Sequence, residues 1–240
     1  MLRVVAEREA RAAGVVLASG SGTRVGAALN KVYLPLAGRR LVAWSLDALR
    51  AEPRIGPLVL VTRPQDAELV TEVLDGRPGV EVVHGGGTRQ ASELAALRHL
   101  SARIGSGEVD AVLLHDAARP LVSPALVAAV LDAAREHGAA VPGLTAPDLV
   151  AVTPDGNRLA ECQPGQAVRV QTPQGFRAPE LLAAYERAER EGFLGTDTAS
   201  CMERFSRLPV HWVPGEERNF KITYPHDLEI AARVLAAPVG

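Results

Sequence analysis

Apolar residues come in short runs separated by stretches of amphipathic spacing, an alternation that predicts an α/β protein with a mostly parallel sheet. Gly14–Ala18 reads as a buried first strand running straight into a glycine-rich loop. Further strands are expected at Leu58–Thr62, Val80–Val83, Val109–Leu114, Gly138–Leu144 and Val210–Val213. Between them the spacing predicts helices at Leu41–Arg50, at Pro64–Leu74 with Pro64 in the first turn, and at Arg89–Ala102 with Leu94, Leu97 and more weakly Ala91 on one face. Ser123 is placed to cap a helix reaching about His137; others are expected near Pro179–Glu191, from Thr196, and over Pro225–Leu235. Leu149–Thr153 and Arg158–Cys162 flank Pro154-Asp155-Gly156-Asn157, a hairpin signal. The hairpin predicts an inserted arm over residues 147–171, which returns through Val168–Thr172 and suits a dimer contact. No repeat or linker interrupts the pattern, so one domain over residues 1–240 is expected.

Composition narrows the function classes. Lys and Arg number 26 against 28 Asp and Glu, a net charge of −2, without the positive excess of a surface that coats nucleic acid. With 47% hydrophobic and 22% charged residues the chain is of globular composition. The longest stretch without charge, Pro120–Leu131, is far short of the roughly 20 apolar residues that span a membrane. The first residues mix acids and bases before any apolar run, unlike a signal peptide. Cys162 and Cys201 form no CxxC pattern and read as free thiols of a reducing compartment, so a cytoplasmic protein is expected.

The loop after the first strand, Leu17-Ala18-Ser19-Gly20-Ser21-Gly22-Thr23-Arg24, followed by Lys31, is the first candidate for chemistry. Three familiar motifs fail on it. A dinucleotide fingerprint starting at Gly20 meets Val25 where its last glycine belongs, a Walker A loop lacks its Gly-Lys-Ser/Thr, and a hydrolase elbow finds Ser19 two residues before Ser21. What remains is a loop whose glycines let backbone amides approach phosphate oxygens, with two cations to offset a triphosphate and its transition state. A tight strand-to-helix turn bearing two solvated cations would use the same residues.

Other candidates lie downstream. Asp116 and Arg119, within His115-Asp116-Ala117-Ala118-Arg119-Pro120, stand at the end of a buried strand, where open α/β sheets bind ligands. Asp116 suits hydroxyls or a metal and Arg119 a phosphate, while an Asp–Arg pair tying down a loop is the plainer alternative. Gly86–Ser92 follows another strand, and its amides with Ser92 suit a base edge; Arg89 there reads equally well as structural. Lys221, between Phe220 and Ile222 in a strand-like run, should point opposite to its apolar neighbours. The tryptophans and histidines form no metal-ligand pattern.

Taken in order, these motifs resemble the cytidylyltransferase family that includes 2-C-methyl-D-erythritol 4-phosphate cytidylyltransferase of the non-mevalonate isoprenoid pathway. The resemblance runs from about Gly14 to Leu235. The first loop matches Ala-Ala-Gly-x-Gly-x-Arg…Lys, with Ser19 for the second alanine and Asn30 where proline usually precedes the lysine. Gly85-Gly86…Arg89…Ser92, the His115–Pro120 run, Thr172–Phe176, Thr196-Asp197 and Asn219–Leu228 also match. The resemblance implies a three-layer Rossmann-like nucleotidyltransferase fold and transfer of CMP from CTP to a small polyol phosphate, first of all 2-C-methyl-D-erythritol 4-phosphate for isoprenoid precursor synthesis, with pyrophosphate released. It implies that Ala18, Ser19, Gly20, Gly22, Gly86 and Ser92 hold CTP, that Arg24 and Lys31 stabilise the transition state, and that Lys221 orients the reaction around the α-phosphate, the three being the catalytic residues. Asp116, Arg119, Thr172 and Thr196 would contact the acceptor, Mg²⁺ would bridge the triphosphate oxygens, and the enzyme would be a homodimer.

Two departures fall on the acceptor side. The family's arm carries Asp-Thr-Ile/Val-Lys, whereas here Asp148 is followed by Leu149, Val150 and Ala151. The arginine expected eight residues before Thr-Pro-Gln is Pro164; Arg158 and Arg169 are the candidates to compensate, though neither is in register. Ribitol 5-phosphate, another alditol phosphate or a phosphonate is therefore the alternative acceptor. A sugar-1-phosphate nucleotidylyltransferase and a non-catalytic nucleotide sensor are the other readings.

Overall fold

A computed structural model of the protein describes residues 10–20, 30–146, 167–195 and 198–237. Strand β1 (Arg11–Leu17) is followed by a two-residue ladder, β2 (Pro35–Leu36) with β3 (Arg39–Arg40). Then come α1 (Leu41–Arg50), β4 (Ile55–Thr62), α2 (Ala67–Leu74), β5 (Val80–His84), α3 (Arg89–Gly105), β6 (Val109–Asp116), α4 (Pro124–His137) and β7 (Ala139–Thr145). The chain continues through β8 (Val168–Val170), β9 (Gln174–Arg177), α5 (Ala178–Arg190), α6 (Thr198–Phe205), β10 (His211–Pro214) and α7 (Pro225–Ala236).

The main sheet runs β10-β7-β9-β6-β1-β4-β5, with β8 paired to β7 beside this path. Pairs β1·β4, β1·β6, β4·β5 and β7·β10 are parallel, while β9 runs antiparallel to both β6 and β7. Side-chain alternation sorts each central strand onto two apolar layers. Ala12 and Val16 of β1, Leu58 and Leu60 of β4, and Ala111 and Leu113 of β6 face a core closed by α1, α2, α4 and α7. Ala13, Val15, Val59, Val61, Val112 and Leu114 face the opposite core, under α3, α5 and α6. At Gly14 a Cβ would lie 2.9 Å from the Leu49 side chain, so the missing methyl sets how closely α1 seats on β1.

Most elements lie where the apolar pattern predicts them, and the differences have local causes. The helix expected from Pro64 opens with a 3₁₀ turn over Pro64–Asp66, because Arg63 holds Asp66 by two bonds of 2.8 and 2.7 Å. Helix α4 starts as expected, Ser123 accepting a bond from the Leu126 amide, and stops at Gly138, whose φ of 96° favours glycine. On α3, Ala91 is exposed, contrary to expectation; the buried face carries Ser92, Glu93, Leu94, Ala96, Leu97, Leu100 and Ile104.

Strand β9 has no signature in the apolar pattern, because Gln174-Gly175-Phe176-Arg177 offers one large apolar side chain and no alternation. It is held in the centre of the sheet by its neighbours. Gly175 lies against α4 so tightly that a Cβ would come within 2.9 Å of that of Ala134. The run around Lys221 is not a strand: Ile222 is fully buried and its amide bonds the Ala118 carbonyl at 2.8 Å. The arm expected over residues 147–171 is described only from residue 167, where its return lies in β8, paired antiparallel with β7; the hairpin Leu149–Cys162 lies outside the described residues. Among the described residues no helix is long and apolar enough to cross a membrane.

Candidate active site

At the C-terminal edge of the parallel strands the loops begin by prolonging the sheet. The Ala18 amide bonds the Val61 carbonyl at 2.7 Å, Gly85 bonds Thr62 at 2.8 Å, and Ala117 bonds Leu17 at 3.1 Å. The first loop is pinned where it returns: the Asn30 side-chain amide donates to the Ala18 carbonyl at 2.8 Å and to Asp66 at 3.3 Å. Its Oδ1 accepts the Val32 amide and so caps the 3₁₀ turn Lys31–Tyr33. A residue in the place of the family's usual proline thus closes the loop with hydrogen bonds. Lys31 is buried, with its Nζ donating to the Ile222 carbonyl at 2.7 Å.

The two glycine-rich loops meet at their serines. Ser19 donates to the Ser92 hydroxyl at 2.9 Å, and Ser92 donates onward to the Thr88 carbonyl at 2.9 Å. Gly85 sits in this contact, where a Cβ would come within 2.6 Å of the Ser92 oxygen and 2.7 Å of the Ser19 Cβ. At Gly86 a Cβ would stand 2.5 Å from the Ala91 Cβ. Gly20 is exposed, with open space where a side chain would be.

Asp116, at the tip of β6, is the electrostatic centre. One carboxylate oxygen takes the Arg89 guanidinium and the other takes Lys221 Nζ at 2.7 Å. Burial works against the charged carboxylate, yet Arg89 and Lys221 outweigh it and hold the group well below the usual carboxylate range. The plainer alternative, an Asp116–Arg119 ion pair, does not form. Arg119 instead donates to the Asn219 carbonyl at 2.8 Å and to Val170 at 3.4 Å, with its Nε buried and without a partner among the described residues.

Behind Asp116 lies a fully determined relay. The Asp116 amide donates to the Thr172 hydroxyl at 3.0 Å, which lies 3.0 Å from His115 Nδ1, and His115 Nε2 reaches the Arg119 carbonyl at 3.1 Å. A carbonyl only accepts, so Nε2 carries the proton and Nδ1 accepts from Thr172. Burial pushes the His115 pKa down to about 4. The Thr172 hydroxyl is therefore occupied in holding the end of β6.

Of the residues singled out from the sequence, Ala18, Ser19, Gly20, Lys31, Gly86, Ser92, Asp116, Arg119, Thr172 and Lys221 are carried by the loops of this one edge. Gly22, Arg24 and Thr196 lie outside the described residues, as do Leu149, Ala151, Arg158 and Pro164. Arg169 is exposed on β8. Sequence reasoning left Arg89 open and passed over Glu93, a carboxylate one helical turn on, in a buried position between Ser92 and Leu94. The signal was there: an Arg and a Glu at i, i+4, with the Glu inside an apolar face. Among the described residues no three His, Cys, Asp or Glu side chains cluster as they would around a metal ion.

The sequence profile described as IspD, 2-C-methyl-D-erythritol 4-phosphate cytidylyltransferase, matches residues 12–237. A 2-C-methyl-D-erythritol 4-phosphate cytidylyltransferase of Solibacter usitatus is 37% identical over 235 residues, covering 92% of this chain and 94% of its own. A bifunctional IspD/IspF enzyme of Dinoroseobacter shibae is 39% identical over 222 residues, where the chain spans about half (53%) of the longer protein. The crystal structure of the cytidylyltransferase of Thermus thermophilus superposes with a TM-score of 0.70 at 34% identity, covering 93% of this chain and 98% of that one. The layered sheet is thus a Rossmann-like nucleotidyltransferase fold. With the match extending from β1 to the last turn of α7, this chain belongs to the 2-C-methyl-D-erythritol 4-phosphate cytidylyltransferase family.

Proposed function

We propose that this chain transfers CMP from CTP to 2-C-methyl-D-erythritol 4-phosphate, releasing pyrophosphate, as a step of isoprenoid synthesis. The observation that carries the reading is the sheet edge itself. There two glycine-rich loops meet at Ser19 and Ser92, while Lys31, Lys221 and Arg119 converge with Asp116 through the sheet ends and the Asn219–Ile222 segment. Near-neutral net charge is compatible with this, because the cations are gathered from distant parts of the chain onto one small site.

An acceptor phosphate oxygen attacks the α-phosphorus in line; the new P–O bond forms as the bond to the β-phosphate oxygen breaks, and pyrophosphate carries away the electron pair. A phosphate oxygen is already anionic, so neither a protein nucleophile nor a general base is needed, and catalysis rests on positioning and charge. Ala18, Ser19, Gly20, Gly22, Gly86 and Ser92 hold the nucleotide. Lys31, with Arg24, offsets charge on the pentavalent transition state, and Lys221 orients the reaction around the α-phosphate. Asp116 and Arg119, with Thr172 behind them and Thr196 in sequence beside α6, form the acceptor side. Bound Mg²⁺ would supply charge neutralisation to the triphosphate; Asp116 is the nearest protein carboxylate that could help hold it, and both its oxygens are committed to Arg89 and Lys221, so the nucleotide itself would be the main holder.

The test is pyrophosphate release from CTP with 2-C-methyl-D-erythritol 4-phosphate, run beside ribitol 5-phosphate and beside UTP and dTTP. Absence of turnover with the methylerythritol phosphate, or faster turnover of ribitol 5-phosphate, overturns the acceptor. UTP or dTTP outperforming CTP overturns the nucleotide. A homodimer built through the arm is part of the same proposal, and a monomeric mass in solution would refute it. So is a cytoplasmic location, which the free, buried Cys201 thiol suits.

A further inference from the structure

We propose that Glu93, with Tyr185 and Thr198, is a positioning device that aims Arg89 at Asp116 and thereby sets the affinity of the acceptor side. The inference rests on the proposed reading only in assigning Asp116 to the acceptor. Glu93 is 1% exposed, yet every oxygen has a donor. Oε1 receives Arg89 Nε at 2.9 Å and the Thr198 hydroxyl at 3.0 Å, and Oε2 receives the Tyr185 hydroxyl at 2.6 Å. Burial and the neighbouring carboxylate keep the Tyr185 proton in place well beyond neutral pH, so that hydroxyl remains a donor. Burial pushes the Glu93 carboxyl above its ordinary range, while the Arg89 charge and the Tyr185 and Thr198 hydroxyls work to lower it. Three donors and no acceptor around one carboxyl are the geometry of its ionised form.

The guanidinium of Arg89 is planar, so gripping its Nε edge fixes where its Nη atoms point. Glu93 takes that edge, and Nη1 then reaches Asp116. Among the directly paired groups, Asp116 faces two cations, Lys221 and Arg89, and Glu93 supplies Arg89 with a second carboxylate; Arg119 adds a further cation nearby. The contacts join α3, α5 and the first turn of α6 to the tip of β6, so one buried group ties three helices to the site. A buried ion pair is a weak source of stability compared with apolar packing, which makes a role in geometry the better account of a glutamate in this core.

Glu93→Gln keeps the shape and removes the charge. Expected is a rise of about 10-fold in KM for the acceptor with kcat and the KM for CTP within about 3-fold, the split of a lost binding orientation. Asp116→Asn should mask it: the double variant should be no worse than Asp116→Asn alone, because Glu93 reaches the acceptor only through Arg89 and then Asp116. In protein labelled with ¹⁵N-arginine, a slowly exchanging Nε–H signal, assigned by Arg89→Lys, should vanish in Glu93→Gln and shift in Asp116→Asn. That signal needs no substrate, so it separates this inference from the choice of acceptor. Tyr185→Phe, which removes one bond and no charge, should move the acceptor KM in the same direction by about 2- to 3-fold and serves if Glu93→Gln does not fold. An unchanged Arg89 signal, an unchanged acceptor KM in folded Glu93→Gln or Tyr185→Phe, or effects of Glu93→Gln and Asp116→Asn that multiply, would overturn it.

Discussion

Lowering the pH from about 7.5 to about 5 should cost the protein about 2 kcal/mol of folding stability through His115 alone. The side chain is fully buried, its Nε2–H on the Arg119 carbonyl and its Nδ1 accepting from Thr172. Protonation would place a second donor against that hydroxyl and a charge in the core. Burial accordingly lowers the folded pKa from 6.5 to about 4. Between these two values the unfolded chain binds a proton that the folded chain refuses, so stability is full above about 6.5 and falls as the pH drops toward about 4. The slope approaches 1.4 kcal/mol per pH unit, and the full loss is about 3 kcal/mol once the pH is below both values. Asp116 does not blur the window: its depressed pKa gives stability that is present above the ordinary carboxylate value and is lost only in more acidic solution. Urea denaturation of wild type and His115→Gln at several pH values from 7.5 to 5 isolates the effect, since glutamine cannot titrate. The wild type should lose about 2 kcal/mol more than the variant over that range. Parallel losses in the two proteins would show that His115 titrates normally and that the inferred relay is wrong.

Three substitutions probe other links. Lys31→Ala should lower kcat by about 100-fold or more while CTP affinity, measured by calorimetry, changes by less than about 5-fold; a loss confined to affinity would refute the transition-state role. Gly85→Ala forces a methyl to within 2.7 Å of Ser19 and closer to Ser92, so the two loops must part. CTP affinity should fall about 10-fold or more with the fold retained by circular dichroism. Gly175→Ala pushes α4 from β9 and should destabilise by about 1–3 kcal/mol in chemical denaturation, with turnover per folded molecule unchanged.

Where an element carries its own apolar pattern and stop signals, the sequence locates it closely. Helix α1 falls on its expected residues, and α4 is bounded by Ser123 and Gly138 as its capping residues require. The ends of β1, β5 and β6 are likewise legible, and with them the positions of Ala18, Gly86 and Asp116, because apolar residues run almost to the end of each strand before glycine-rich or charged residues take over. Strand β9 shows the limit. Its four residues have no period, and their central antiparallel place comes from pairing with β6 and β7 and from the close approach of α4 at Gly175.

The chemistry divides the same way. Glycines after strands, a lysine beyond the first loop and an aspartate at a strand end are local facts, so the sequence by itself determined the family, the cytidylyl chemistry expected of it, and the edge of the sheet where the candidate residues gather. Only the tertiary structure decided which charges meet. Asp116 pairs with Arg89 and Lys221, not with the nearby Arg119; Lys31 is fixed by a carbonyl 191 residues away; and Glu93 is tied to Tyr185 and Thr198 across 92 and 105 residues. The physical reason is that a partner is chosen by distance and desolvation in the folded chain, neither of which is encoded by proximity along it.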